Sequence, residues 1–370
     1  EPGSLDQALA NMKAVLEESE GNLGQVALNM GLVDQLVTEE EMRDHLINLI
    51  GSEEDETTYT GVSYQPYLAQ QMNFEESDAD AKVAVITATG GIVDGFAGPG
   101  QIGSLSLVER IHQAVDDDSV KALVLRVNSG GGSKTASEII RQSLLAVQAD
   151  DIPVVASFGG VAASGGYWIS ASADKIFAAN TTITGSIGIF GVIPTFEKTL
   201  DRYGITTDGV STTPLAGAAS IERGISPAFA ELIQANIEAG YTQFIEMVAE
   251  SRSMSVEAVD NIAQGRVWTG AAAKEIGLVD EIGELQAAIE AAAELADLAD
   301  FDVWHVEPER TTQEQIIEAL TASFSAHLPP RPATLLGRIE SAMQAELEWI
   351  DNLNDPLHAY AICTDCPELR

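Results

Sequence analysis

Basic side chains are scarce in this 370-residue chain: 19 Lys and Arg stand against 57 Asp and Glu, a formal charge of −38. Such a field repels phosphate backbones and anionic lipid headgroups, which argues against nucleic acid as a partner. The carboxylates would also keep a protein soluble in salty surroundings, and a solvated acidic surface without specific function explains the number equally well. Only two cysteines occur, Cys363 and Cys366. One pair cannot supply four tetrahedral zinc ligands, and the closest histidine is His358, so no metal site is expected there. No run of about 18 apolar residues is present, and nothing in the sequence reads as a helix that crosses a bilayer. An initiator Met and a signal peptide are missing too; the chain opens on Glu1-Pro2-Gly3, and residue 1 is not expected to be where translation begins.

What is present is a 45% apolar chain, long enough for about two domains and a sizeable core. The first 50 residues carry apolar positions at helical spacing, as in LDQALANMKAVLEE. An acidic, Thr-rich stretch containing Pro66 reads as a linker over 51–80. From Lys82 the pattern changes: KVAVITA, VKALVLRVN and IPVVASFG are apolar runs of strand length, separated by the helical SLSLVERIHQAVDDD and KTASEIIRQSLLAVQAD. Strands alternating with helices of this length imply an α/β core on a parallel sheet with right-handed crossovers, placed at 81–300. Pro227 suits the first turn of the long helix that follows Ser226. Residues 301–370, with FDVWHV, a Pro-rich break at 329–332 and an amphipathic helix near 334–350, read as a peripheral appendage.

One internal repeat bears on the N-terminal segment. ALNMGLVDQL at 27–36 matches AKEIGLVDEI at 273–282, with GLVD in register and an acidic helical segment after each. As a duplication, this makes 1–50 the end of a first repeat unit, with roughly 165 residues of that unit expected before Glu1.

Two glycine-rich turns follow strands of the expected sheet, where open α/β sheets bind ligands. The first, VNSGGGSKTASE at 127–138, opens a helix whose amides could face a developing negative charge. It lacks the Gly-Lys-Ser/Thr of a P-loop. The second, GGVAASGG, carries Ser164 at the start of another helix. A serine there would expose its hydroxyl and direct the amide of Gly165 at an oxyanion. The same Ala-Ala-Ser-Gly-Gly also serves close helix-strand packing, and the residues alone leave both readings open.

Four segments in order, VLRVNSGGGSKTASEIIR, FGGVAASGGYWISASADKI, TTITGSIGIFGVI and QGRVWTGAAAKEIGLVD, resemble the bacterial signal peptide peptidase A family in its long, internally duplicated form. The resemblance runs from the first GLVD to the closing YAICTDCPELR. It implies Ser/Lys peptidases of the Clp protease and crotonase-like fold, with the nucleophile at Ser164 and oxyanion donors at the amides of Gly132 and Gly165. SIGIFGV would border the substrate groove. Substrates implied are hydrophobic peptides, including signal-peptide remnants. The resemblance further implies a homo-oligomer on the periplasmic face of the bacterial inner membrane, anchored by an N-terminal segment absent from this chain, and no metal or organic cofactor. The CxxC resembles the tail of other long members; in an oxidising periplasm a disulfide is allowed, and a reduced surface pair is equally permitted.

A serine nucleophile needs a proton acceptor, and a desolvated lysine can serve. In short family members that lysine lies some fifty residues after the serine, yet GVSTTPLAGAASIERGISP holds only Arg223 as a cation, and arginine does not deprotonate. In the long form the lysine comes from the first unit, so it is expected upstream of Glu1. Gly130 stands where the family pattern has proline, and Lys134 where it has a small apolar residue. Lys134 is either an exposed first-turn lysine or a substitute base beside Ser164. Lys175 is expected to begin a strand; Lys121, Lys198 and Lys274 fit solvent-facing positions, and Asp208 and His112 receive no role. Two rival readings remain: a non-catalytic scaffold or binding unit of the same fold, and an acyl-CoA enzyme, which lacks a basic site for the CoA phosphates here.

Overall fold

In a computed structural model, residues 11–52, 58–62, 64, 67–68, 79–98, 100–210, 212–213, 215–218, 220–307, 353–364 and 366 are described. The chain divides into two compact units, Glu1–Glu76 and Ser77–Arg370.

Among its described residues the smaller unit has helices α1 (Met12–Glu18), α2 (Leu23–Asn29) and α3 (Glu39–Ile50). Asn22 caps α2 by accepting from the Gln25 amide. Thr38 and Glu41 form a reciprocal capping box at the start of α3, which satisfies two amides that a helix end leaves unpaired. The acidic run after Thr38 is therefore a helix N-terminus, where negative charge is favourable.

The larger unit is built on a sheet of strands β1 (Lys82–Thr89), β4 (Val120–Ser129), β6 (Val154–Ala163), β7 (Lys175–Ala178), β8 (Ile183–Gly185), β10 (Val267–Thr269), β11 (Glu281–Ile282) and β12 (Asp302–His305). Its path is β10-β8-β6-β4-β1-β12, with β7 and β11 branching from β6. Every pairing is parallel except β8 with β10. The near-continuous apolar runs arise because both faces are covered. Val83, Val85, Ala122, Val124 and Val155 point toward α11 (Leu285–Leu295). Ala84, Ile86, Leu123 and Leu125 point the other way, toward α4 (Ser104–Val115), α5 (Lys134–Ala149), α6 (Gly165–Trp168) and α8 (Pro227–Ser251). Ser226 caps α8 and Pro227 occupies its first turn, as the sequence suggests. Among the described residues, helices α7 (Glu197–Arg202), α9 (Val256–Ile262) and α10 (Gly270–Glu275) are also present.

A second, smaller sheet runs β3-β2-β5-β13-β9, from β2 (Gly91–Val93), β3 (Gln101–Gly103), β5 (Gly131–Ser133), β9 (Phe190–Gly191) and β13 (Ala359–Ile362). Here the structure differs from the sequence reading of 301–370 as peripheral. FDVWHV supplies β12, which extends the main sheet beside β1, and residues 359–362 supply β13, inserted between β5 and β9. Composition could not show this, because the partners of both strands lie far earlier in the chain, β1 and β5 more than two hundred residues back. The amphipathic helix expected near 334–350 lies outside the described residues.

Candidate active site

The first glycine turn leaves the main sheet where the pairing of β4 with β6 shifts register between Val127 and Ser129. Asn128 bridges the gap with its side chain, its Oδ1 accepting from the Val161 amide at 3.1 Å. Ser129, fully buried, accepts from the Gly131 amide at 3.1 Å. Gly131 has φ +99°, a conformation L side chains rarely adopt, and a Cβ there would overlap the carbonyl of Ala361. Gly132 stands in register with Ile92 on one side and Ala361 on the other, and a Cβ would overlap the Ile92 backbone. Two glycines are thus required because three backbone segments meet around them. Gly130 is different: a Cβ would meet nothing within 4 Å.

The second turn joins β6 to α6 through Ser164, at φ 55° and ψ −115°. This is a strained backbone for a residue with a side chain, of the kind that lifts a nucleophile out of a strand-to-helix turn. It is held by the Ser164 amide donating to the Gly185 carbonyl at 2.8 Å and by the Trp168 amide donating to the Ser164 carbonyl at 2.8 Å. The amide of Gly165 opens α6 and has no partner within the helix. A Cβ on Gly165 would lie 2.8 Å from Ser137 Oγ and 3.1 Å from Gly131 Cα; one on Gly166 would lie 2.7 Å from the Ser129 carbonyl. The Ser-Gly-Gly segment is closely packed, and the exposed hydroxyl expected from the sequence is not found, because β5 and the C-terminal segment close over the turn. Ser164 is 1% exposed, and its Oγ has no hydrogen-bond partner among the described residues.

The fold therefore brings Ser164 and Gly165 against the glycine turn. A Cβ on Gly131 would lie 2.6 Å from the Gly165 amide nitrogen, and Gly132 is the next residue of β5. Lys134 starts α5 and runs its aliphatic stem past Gly240 and Ile189 rather than hydrogen-bonding to Ser164. Lys175 begins β7 and pairs with Glu281. Beneath α6, Glu138 accepts from Trp168 Nε1 at 2.7 Å and pairs with Arg141. Burial pushes the Glu138 carboxyl up, but the donors Arg141, Gln142 and Trp168 outweigh it and hold it below its ordinary value.

The wall that sequence reasoning missed is the C-terminal one. Cys363 and Cys366 form a disulfide. It packs beside Val161 and Ala163, the residue before Ser164, while the Cys363 amide donates to the Gly130 carbonyl at 2.7 Å. Asp355 accepts four hydrogen bonds that join this segment to the start of α5. Two of its partners, the amides of Leu357 and Ala359, lie within NDPLHAY, but the other two, Ser133 and Thr135, lie over two hundred residues earlier and could not be read locally.

A cleft of about 230 Å³ lies alongside, lined by Ser186, Ile189 and Phe190 of the SIGIFGV segment, by Tyr241, and by Ile362 and Thr364 of the C-terminal wall. Burial, and then the hydrogen bond to Asp260, push the Tyr241 phenol up to about 12, so it stays neutral and is no base near neutral pH. No helix among the described residues is long and apolar enough to cross a membrane.

Comparison with known proteins adds the following. A model described as peptidase family S49 matches residues 146–299, which include Ser164 and Gly165. The chain is 41% identical to Protease 4 of Salmonella typhi over 95% of its own length and 56% of that protein's. It is 37% identical to Protease 4 of Haemophilus influenzae, over 99% of this chain and 60% of the relative. Against a putative signal peptide peptidase SppA of Enterococcus faecium the identity is 31%, over 68% of this chain and 75% of the relative. The chain thus spans just over half the length of the two Protease 4 relatives.

Proposed function

This chain belongs to peptidase family S49, and we propose that it carries the nucleophile of a serine endopeptidase working through an acyl-enzyme at Ser164. The observation that carries the reading is the strained turn at Ser164, whose unpartnered hydroxyl stands beside a glycine turn and a free helix amide. Ser164 Oγ attacks the scissile carbonyl carbon and gives its proton to a neutral lysine amine. The negative charge on the carbonyl oxygen is met by the Gly165 amide and an amide of the glycine turn, Gly131 or Gly132, placed before the charge develops. The lysine returns the proton to the leaving amine, and water then releases the acyl group by the same two steps in reverse. The lysine is proposed to come from outside the described residues, in the part of the longer relatives that this chain does not cover.

Hydrophobic peptides, signal-peptide remnants among them, are the proposed substrates; the apolar Ile189, Phe190 and Ile362 of the cleft support this. We further propose a homo-oligomer at the periplasmic face of the bacterial inner membrane, as the family resemblance of the sequence implies. The formal charge of −38 supports the absence of nucleic acid among its partners. A fluorophosphonate probe tests the nucleophile: labelling at Ser164, and hydrolysis lost in Ser164→Ala, are expected when the lysine-bearing partner sequence is present. Hydrolysis by the 370-residue chain alone would show that the base lies within it. No labelling in either setting would instead identify a non-catalytic scaffold of the same fold.

A further inference from the structure

Asp355 is 2% exposed, yet both of its oxygens are fully engaged. Oδ2 accepts from Ser133 Oγ at 2.6 Å and from the Thr135 amide at 2.9 Å, at the start of α5. Oδ1 accepts from the amides of Leu357 at 2.8 Å and Ala359 at 3.2 Å, in the turn that leads into β13. One carboxylate therefore fastens β13 to the residues that directly follow the glycine turn. The neighbouring Asn354 fastens the other side of the same small sheet: its Oδ1 accepts from the Asp94 amide at 2.9 Å and its Nδ2 donates to the Asp94 carbonyl at 3.1 Å. Between these latches, β5 lies in register with β2 and β13, and the Ala361 carbonyl reaches both Gly131 and Gly165.

We propose that Asp355 is a positioning residue for the glycine turn, setting where β13 lies against β5 and so how far the turn amides stand from Ser164. The inference rests on the reading that Ser164 attacks a carbonyl. The negative charge matters for a geometric reason. A carboxylate accepts at both oxygens, whereas an amide accepts at one and would turn its NH₂ against the Thr135 N–H. The charge also lies at the N-terminus of the 16-residue α5, where the helix dipole favours it. Glycines without side-chain packing cannot hold their own position, so the restraint has to come from a neighbour.

The test compares wild type, Asp355→Asn and Ser133→Ala. Amide hydrogen exchange is followed in the 370-residue chain, and kinetics in the protein that shows Ser164-dependent hydrolysis. In Asp355→Asn, exchange should speed up at 130–132 and 360–363 and stay unchanged in β1 and α11. The kcat should fall about 10- to 100-fold, less than loss of a whole oxyanion donor, with KM within about twofold. Affinity for a peptidyl boronate, which mimics the tetrahedral state, should fall by the same factor as kcat/KM. Ser133→Ala removes one donor of the four and should move each quantity less, in the same direction, which keeps the proposal testable if Asp355→Asn does not fold. Unchanged exchange at 130–132 overturns the proposal, as does faster exchange with unchanged kcat and boronate affinity. Hydrolysis retained in Ser164→Ala overturns the nucleophile reading instead, and the exchange measurement then still decides whether Asp355 holds the turn.

Discussion

The two GLVD copies end their helices with the same hydrogen bonds and then meet opposite fates. After α2, the Leu32 amide donates to Ala27 at 2.9 Å and the Gly31 amide to Leu28 at 3.0 Å, with Gly31 at φ +69°. After α10, the Leu278 amide donates to Ala273 at 2.8 Å and the Gly277 amide to Lys274 at 3.2 Å, with Gly277 at φ +83°. This is one helix-ending motif written twice, with glycine at the left-handed position. Yet Leu32 is 60% exposed and Leu278 is fully buried. Asp34 is exposed, whereas Asp280 accepts from the Ile176 amide at 2.8 Å and pairs with Arg252. Ten similar residues thus specify a turn, and the surroundings specify what the turn is worth.

The largest effect should separate the copies most. Leu278→Ala should lower the denaturant stability of the body by about 2–5 kcal/mol, and Leu32→Ala by less than about 0.5 kcal/mol, because only the first leaves a cavity. Equal losses would mean that Leu32 is buried in solution. Next, Asp280→Asn should cost about 2 kcal/mol in the same measurement through its weakened bonds to Arg252 and Ile176, while Asp34→Asn should be neutral. A smaller change should erase the difference. Gly31→Ala and Gly277→Ala should each cost about 1 kcal/mol for the left-handed conformation, since neither Cβ would clash, and helix-end exchange should rise alike in both.

Acid should distinguish the units more gently. Burial pushes the Asp355 carboxyl up, but its hydrogen bonds from Ser133, Thr135, Ala359 and Leu357 win and hold it below the ordinary 3.8. The bonds from the Thr38 amide and hydroxyl hold Glu41 below 4.5. Both depressed groups stabilise fully above those ordinary values and lose that contribution as pH falls through their lower folded values. Exchange at 359–363 should therefore rise in the same acid range, below about pH 4, in which circular dichroism reports fraying of α3. The smallest effect expected is a modest rise in melting temperature with added salt, which screens the self-repulsion of a −38 chain.

Much of this was readable from residues. The apolar runs placed β1, β4 and β6, Ser226-Pro227 marked the start of α8, and the two glycine turns fell beside each other. Those features depend on side-chain periodicity and backbone preference within a few residues. The strand identity of 359–362 was not readable, because AYAI is short and its partners, β5 and β9, lie far back in the chain. Lys134 shows the same limit: its place in sequence left both an exposed first-turn lysine and a base beside Ser164 open, and its half-buried side chain lies along Gly240. The disulfide was an open alternative until the fold put Cys363 behind Ala163.

By itself the sequence determined where this chain turns: the glycine at the left-handed position after α2 and after α10, and the serine between Ala-Ala and Gly-Gly. Each follows from sterics and hydrogen bonds closed within about six residues. Only the tertiary structure decided that Gly131 and Gly132 leave no room for a side chain, which GLVD is buried, and that Asp355 reaches across 220 residues to Thr135. Such contacts are set by how layers pack, and no local pattern encodes the distance between two segments that meet only after the sheet between them has formed.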